Sequence, residues 1–143
     1  VRTIIVGGPR CGKSTIARQM RLQGIRTFCG DPLSLVKEPE PGVTYLPEDL
    51  DWSAGSAYVA DNWFPLPGPW VMEGQIMARA LRKWLWRRDD RYRGTAAPCD
   101  RIIVLQHPRP ECTLLPGQVS MNKAVQTVWS QISDRFAGVS EYR

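Results

Sequence analysis

The apolar positions along this chain fall into two periods. Val1 to Val6 is apolar nearly throughout after Arg2 and rich in β-branched residues, the pattern of a strand buried in a parallel sheet. Ser14 to Gln23 reads as a helix, with Ile16, Ala17, Met20 and Leu22 on a partly apolar face and Gly24 as its stop. Ile25 to Cys29 predicts a second strand, closed by the turn Gly30-Asp31-Pro32. Strand, helix and strand within about thirty residues make a βαβ unit. Residues 37–51 break the pattern: Pro39, Pro41 and Pro47 forbid a continuous helix, and the segment is rich in acids. A loop of this length either binds something or is simply an exposed acidic loop.

The pattern resumes with a helix over Ser53 to Trp63, for which Asp51 or Ser53 is the candidate N-cap, ended by Pro65, Pro67 and Pro69. Pro69 to Gly74 predicts a third short strand that finishes on Glu73-Gly74. Gln75 to Arg88 predicts a helix whose buried face is Ile76, Met77, Ala80, Leu81, Trp84 and Leu85. Arg79, Arg82, Lys83, Arg87 and Arg88 line the rest, followed by Arg91 and Arg93, the densest basic run of the chain. Gly94 to Asp100 reads as a loop and Arg101 to Leu105 as a fourth strand, ending at Gln106-His107-Pro108. His107, the sole histidine, is either a site residue or, the simpler reading, a turn residue before proline. Asn122 to Phe136 predicts the last helix, with Val125, Val128, Trp129 and Ile132 inward, and the tail 137–143 either frays or adds a short strand.

Chemistry enters where the first strand meets the first helix. Gly7, Gly12, Lys13 and Ser14 complete G-x-x-x-x-G-K-[ST], the phosphate-binding P-loop. Glycines let backbone N–H groups turn inward around phosphate oxygens, and the following helix N-terminus adds partial positive charge. Lys13 reaches the β and γ phosphates, and Ser14 offers a hydroxyl to Mg²⁺. The cradle as a whole is Gly7, Gly8, Pro9, Arg10, Cys11, Gly12, Lys13, Ser14 and Thr15. The expected fold is therefore α/β: a three-layer P-loop NTPase fold with a parallel sheet of four to five strands flanked by helices. Ligands of such sheets lie at the carboxyl ends of the strands. Asp31, eighteen positions after Lys13, and Glu73 both fall there.

The Gly-Gly-Pro-x-x-Gly-Lys stretch resembles the loop of the adenylate-kinase-like and nucleoside-kinase-like P-loop kinases, departing at Arg10, where many members carry glycine. The resemblance implies a single kinase domain over 1–143, ATP as donor and Mg²⁺ as its metal. In kinases similar to polynucleotide kinase, an aspartate just after the second strand is the general base, which implies that role for Asp31. An acidic-glycine pair at the third strand's end implies service to Mg²⁺ or the acceptor for Glu73. Arginines beyond it clamp phosphates, which makes Arg79 the best-placed of the basic run. Residues 108–120 lie where such kinases carry a lid, but Arg109 and Lys123 are the only cations near. For Asp31 the competing reading is a turn aspartate before Pro32, and for the basic run a solvated helix face.

Composition narrows the acceptor only a little. A chain of 143 residues leaves no room for a large acceptor-binding insert. The net charge of +5 and six tryptophans fit phosphate-rich partners, nucleic acid among them, although tryptophan in a small domain is more often core. Short, basic and tryptophan-rich, the chain also resembles small phage kinases that phosphorylate 5-hydroxymethyluracil within DNA; a free nucleoside or nucleotide is the equal alternative. Other P-loop classes fit less well. Asn122-Lys123-Ala124-Val125 lacks the aspartate of a guanine reader, and the fourth strand does not end in the acids of a motor ATPase. A nucleic-acid-binding module without catalysis does not need a P-loop. Cys11, Cys29, Cys99 and Cys112 match no zinc or disulfide spacing and read as reduced thiols of a cytoplasmic protein, host cytoplasm if the source is viral. Cys11, beside a helix N-terminus, is either somewhat acidic or a plain small loop residue. No apolar run reaches the length of a membrane span.

Overall fold

The computed structural model describes residues 1–87 and 97–143. Arg88, Arg91 and Arg93 of the basic run, and Gly94 at the start of the expected loop, lie outside the described residues. Six parallel strands form one sheet: β1 (Arg2–Gly7), β2 (Arg26–Cys29), β3 (Val43–Tyr45), β4 (Trp70–Glu73), β5 (Arg101–Leu105) and β6 (Ser140–Tyr142). Their spatial order is β3-β2-β4-β1-β5-β6, so β1 and its P-loop sit centrally between β4 and β5. The helices are α1 (Lys13–Leu22), α2 (Trp52–Tyr58), α3 (Met77–Trp86) and α4 (Pro116–Ile132).

Strand periodicity sorts the core into two layers. Ile4 and Val6, Phe28, Trp70 and Met72, Ile102 and Val104 all point to one face and pack with α2, α3 and α4. Ile5, Val71 and Ile103 point to the other, where they meet Ala17 of α1. Parallel strands covered on both faces are apolar over most of their length, which is why β1, β4 and β5 read as near-continuous runs. The alternation also decides where the strand-end polar groups go. Glu73 follows Val71 by two and Cys29 is its partner in the ladder, so both belong to the α1 face.

The sheet has six strands, more than the four to five expected. Val43–Tyr45 falls inside the segment read as loop; a strand of three residues, set between Pro41-Gly42 and Pro47, is too short to display a period. The tail adds β6, on β5. Asp51, rather than Ser53, caps α2 by accepting from the N–H of Ala54 at 2.7 Å, and a π-helical turn (Val59–Trp63) continues that helix. α4 begins at Pro116, six residues before the expected Asn122. Pro116 is not a breaker there because a proline in the first turn sacrifices no helical hydrogen bond, and the side chain of Gln118 accepts from the N–H of Leu115 at 2.9 Å. Only residues 108–115 of the expected lid region therefore lie outside a helix.

Candidate active site

The turn between β1 and α1 forms the cradle. Gly12 adopts φ 94°, which turns the chain into α1, and Lys13 is the helix's first residue. The Lys13 side chain is buried and its Nζ donates to the carbonyl of Gly8 at 2.6 Å, drawing the loop into a ring. Arg10, at the position where glycine is common, takes φ 58° and is exposed. Gly7, Gly8, Pro9 and Cys11 are buried, whereas Ser14 is exposed and Thr15 half-buried at the start of α1. Burial pushes the Cys11 thiol up, so it is not acidified by the helix N-terminus.

Beside the cradle, the ladder brings two acids together. β2 and β4 pair with Cys29 opposite Glu73, and β1 pairs with β4 so that Ile5, two residues before Gly7, is also opposite Glu73. The N–H of Gly30 donates to the Glu73 carbonyl at 2.9 Å, and the N–H of Gln75 donates to Oδ1 of Asp31 at 2.9 Å. Gly74 makes this crossing possible. At φ 141° it adopts backbone that L side chains avoid, and a Cβ there would lie 3.1 Å from Asp31 Oδ1. Both carboxylates line one cavity of about 170 Å³ with Ser14, Cys29 and Tyr45. The acidic segment closes its far wall. Glu40 accepts from Arg18 and Arg21 of α1, each at 2.7 Å, and its N–H donates to the Tyr45 hydroxyl at 2.8 Å.

The two acids are not equivalent. Burial, reinforced by the neighbouring Asp31 charge, pushes the Glu73 carboxyl up to about 7, against the pull of Lys13 and of a hydrogen bond from Cys29. The same burial, with the nearby carboxylates, drives the Cys29 thiol far above its ordinary value. Because the folded protein favours protonated Glu73, the stabilisation is complete below the ordinary carboxyl value of 4.5 and is lost as the pH climbs to about 7. Glu73→Gln keeps the shape without the charge. In metal-free buffer it is expected to melt several degrees above wild type at pH 8, worth at most about 3 kcal/mol, and to lose that advantage by pH 4. Thermal melts across that range check this; an advantage that grows toward low pH contradicts it.

Two cations do not sit as the sequence implied. Arg79 is absent from the lining of the acid cavity. α3 lies on the sheet face opposite α1, and its guanidinium instead rests 5.7 Å from the Trp52 ring, in a groove shared with Ser53, Ser56, Arg82 and Lys83. Arg109 moves the other way. Its N–H donates to the carbonyl of Arg10 at 2.9 Å and its Nη2 to Thr15 Oγ1 at 2.7 Å, which lays the guanidinium across the cradle beside Gly12. The sequence signal was its place as a cation in the lid region; a contact across ninety-four residues has no local signature. His107 is exposed and lines a separate cavity with Gly8, Gln126 and Trp129.

The residues present suit a magnesium-bound triphosphate. Mg²⁺ needs few protein ligands beside phosphate oxygens and water, and Ser14 with Glu73 offers a hydroxyl and a carboxylate on one cavity wall. Among the described residues no cluster of three or more His, Cys, Asp or Glu is arranged to hold a metal by itself. All four cysteines are free thiols, and no described helix is long and apolar enough to cross a membrane.

No protein-family model and no curated protein sequence matches the chain. Among solved structures, a shikimate kinase from Acinetobacter baumannii in complex with shikimate aligns over 98% of this chain and 80% of that one, at 15% sequence identity and a TM-score of 0.47. At that distance the reading of the site rests on the residues of this chain.

Proposed function

We propose that residues 1–143 form a P-loop kinase domain that moves the γ-phosphoryl group of ATP to a hydroxyl of a nucleoside-type acceptor. The observation that carries this reading is the convergence of Asp31 and Glu73 on one cavity with Ser14, at the end of the P-loop where the γ-phosphate would lie. A nucleotide switch or a simple nucleotide binder has no need of a second carboxylate beside the one that serves the metal.

The chemistry then falls to named groups. Backbone N–H groups of Gly8 and of Arg10 to Lys13, with the Lys13 ammonium, hold the β and γ phosphates, and the N-terminus of α1 favours their charge. Arg109, already over the loop, adds a planar donor set on the outer side of the same phosphates. Asp31 accepts the proton of the acceptor hydroxyl as its oxygen bonds to phosphorus and the bond from phosphorus to the bridging oxygen breaks, releasing ADP. The hydrogen bond from Gln75 fixes that carboxylate in place. Ser14 and Glu73 would hold Mg²⁺, which supplies charge neutralisation between the β and γ phosphates when bound. A cation there also favours the ionised form of a carboxyl that burial otherwise keeps protonated.

Two acceptors suit a chain without a large insert: a free nucleoside or nucleotide, and 5-hydroxymethyluracil carried in DNA, whose base would have to be extruded or single-stranded. The deciding assay offers γ-labelled ATP and Mg²⁺ with free nucleosides, nucleoside monophosphates, plain DNA and hydroxymethyluracil-containing DNA. Label on one acceptor class supports the kinase and names it. Consumption of ATP with no labelled acceptor sinks the assignment.

A further inference from the structure

The groove that holds Arg79 is unexplained by phosphoryl transfer at the acid cavity. It runs along the outer face of α3 between α2 and α4, has a volume of about 390 Å³, and is lined by Arg79, Arg82, Lys83, Ser53, Thr127 and Gln131 among others. Three cations share it, and among the described residues none of the three has a carboxylate partner. Arg82 donates through Nη1 to Gln131 at 2.9 Å, but among the described residues its Nε–H is buried without an acceptor. A buried guanidinium donor left unpaired is costly in a folded protein. Lys83 spends its ammonium on the carbonyl and hydroxyl of Ser53, and burial together with Arg87, Arg82 and Arg79 depresses its affinity for a proton. Among the described residues, the groove therefore gathers three cations with no carboxylate in direct contact, Asp51 acting on Lys83 only through its charge.

Aromatic rings alternate with these cations. Arg79 packs on Trp52, and Arg82 lies 4.8 Å from the centroid of Trp86. Trp86 is 69% exposed, so with one face under Arg82 the remainder of the ring is open to solvent. An indole face held open at the end of a row of cations is the arrangement that stacks a base while the cations follow a phosphate backbone.

We infer that the α3 groove binds a single-stranded nucleic acid, with Arg79, Arg82 and Lys83 on consecutive phosphates and Trp86 against a base. The groove lies on the opposite side of the sheet from α1, so the strand and the triphosphate occupy separate sites. The inference does not depend on the kinase reading: a protein that binds the strand but transfers no phosphate would retain it, and a kinase for free nucleosides that binds no strand would refute it alone.

The test is fluorescence anisotropy of a labelled twenty-nucleotide oligothymidylate titrated with the full chain at several salt concentrations. Binding in the micromolar range or tighter at low salt is expected, weakening steeply as salt rises. Arg82→Gln with Lys83→Gln should flatten the slope of log affinity against log salt by about 1.4, since each neutralised phosphate contributes about 0.7 on a single strand. Trp86→Ala should weaken binding about tenfold or more and leave the salt slope unchanged, the mark of lost stacking. Trp86 is exposed, so this variant reads the groove even if the double variant does not fold by circular dichroism. Mg-ATP at matched ionic strength should leave the bound oligonucleotide in place. Absence of binding, an affinity unmoved by Trp86→Ala, displacement by ATP, or equal competition by polyglutamate would each overturn the assignment.

Discussion

Lys13→Ala is expected to reduce phosphoryl transfer by at least about 10³-fold, the scale on which a single charged group stabilises the transferring phosphate. The effect is large because three roles end together. The ammonium leaves the β and γ oxygens, where no other buried cation of the cradle replaces it. Its 2.6 Å hydrogen bond to Gly8 goes too, and with it the contact that draws the loop into a ring. Its pull on Glu73 is also lost, which leaves that carboxyl still harder to ionise. Single-turnover transfer of label, with circular dichroism to show that the sheet is intact, measures this. A rate within tenfold of wild type would mean that Lys13 does not face the phosphates.

Asp31→Asn is expected to lower kcat by about 10² to 10⁴-fold, the usual worth of a positioned base, while the KM for ATP stays nearly unchanged. The substitution is a clean one. The amide oxygen of asparagine can still accept from the N–H of Gln75, so the crossing of the two strand ends through Gly30 and Gly74 is preserved. What disappears is the capacity to take a proton. A variant that keeps turnover within about fivefold would transfer the role to Glu73, the other carboxylate on the cavity. A parallel loss in KM for ATP would instead place Asp31 in triphosphate binding.

The parts of this site that the sequence displays are those fixed by local chemistry or by strand period. The P-loop is legible because residue type and spacing are themselves the mechanism. Glu73 is legible because a lone acid at the end of Trp70-Val71-Met72 has no place in an apolar core, and the alternation in β4 turns it toward α1. The structure leaves the P-loop elements, the turn at Asp31 and the strand of Arg101 to Leu105 where the pattern put them. Features that depend on tertiary packing were hidden. β3 is three residues long, shorter than any readable period, whereas the tail takes the short-strand alternative of its two readings as β6. Pro116-Gly117 looks like a break and is a helix start. Arg79 follows Glu73 by under two turns of chain, yet α3 carries it to the other side of the sheet, where it meets Trp52. Arg109 reaches the cradle only because the chain returns over Arg10 after β5.

The division of faces has a functional reading. On the α1 side stand the P-loop helix, the two acids and the segment that Glu40 ties to Arg18 and Arg21; on the α3 side stands the cationic groove. An acceptor carried on a strand would engage both. A free nucleoside would use the cavity alone.

Phosphotransfer itself is tested most directly by stoichiometry. With Mg-ATP and the acceptor found by the labelling panel, ADP and phosphate ester should appear in a one-to-one ratio, with free phosphate a minor product and ADP release dependent on the acceptor. If every ADP is matched by free inorganic phosphate whichever acceptor is offered, the protein is a nucleoside triphosphatase and the roles given to Asp31 and Glu73 are wrong.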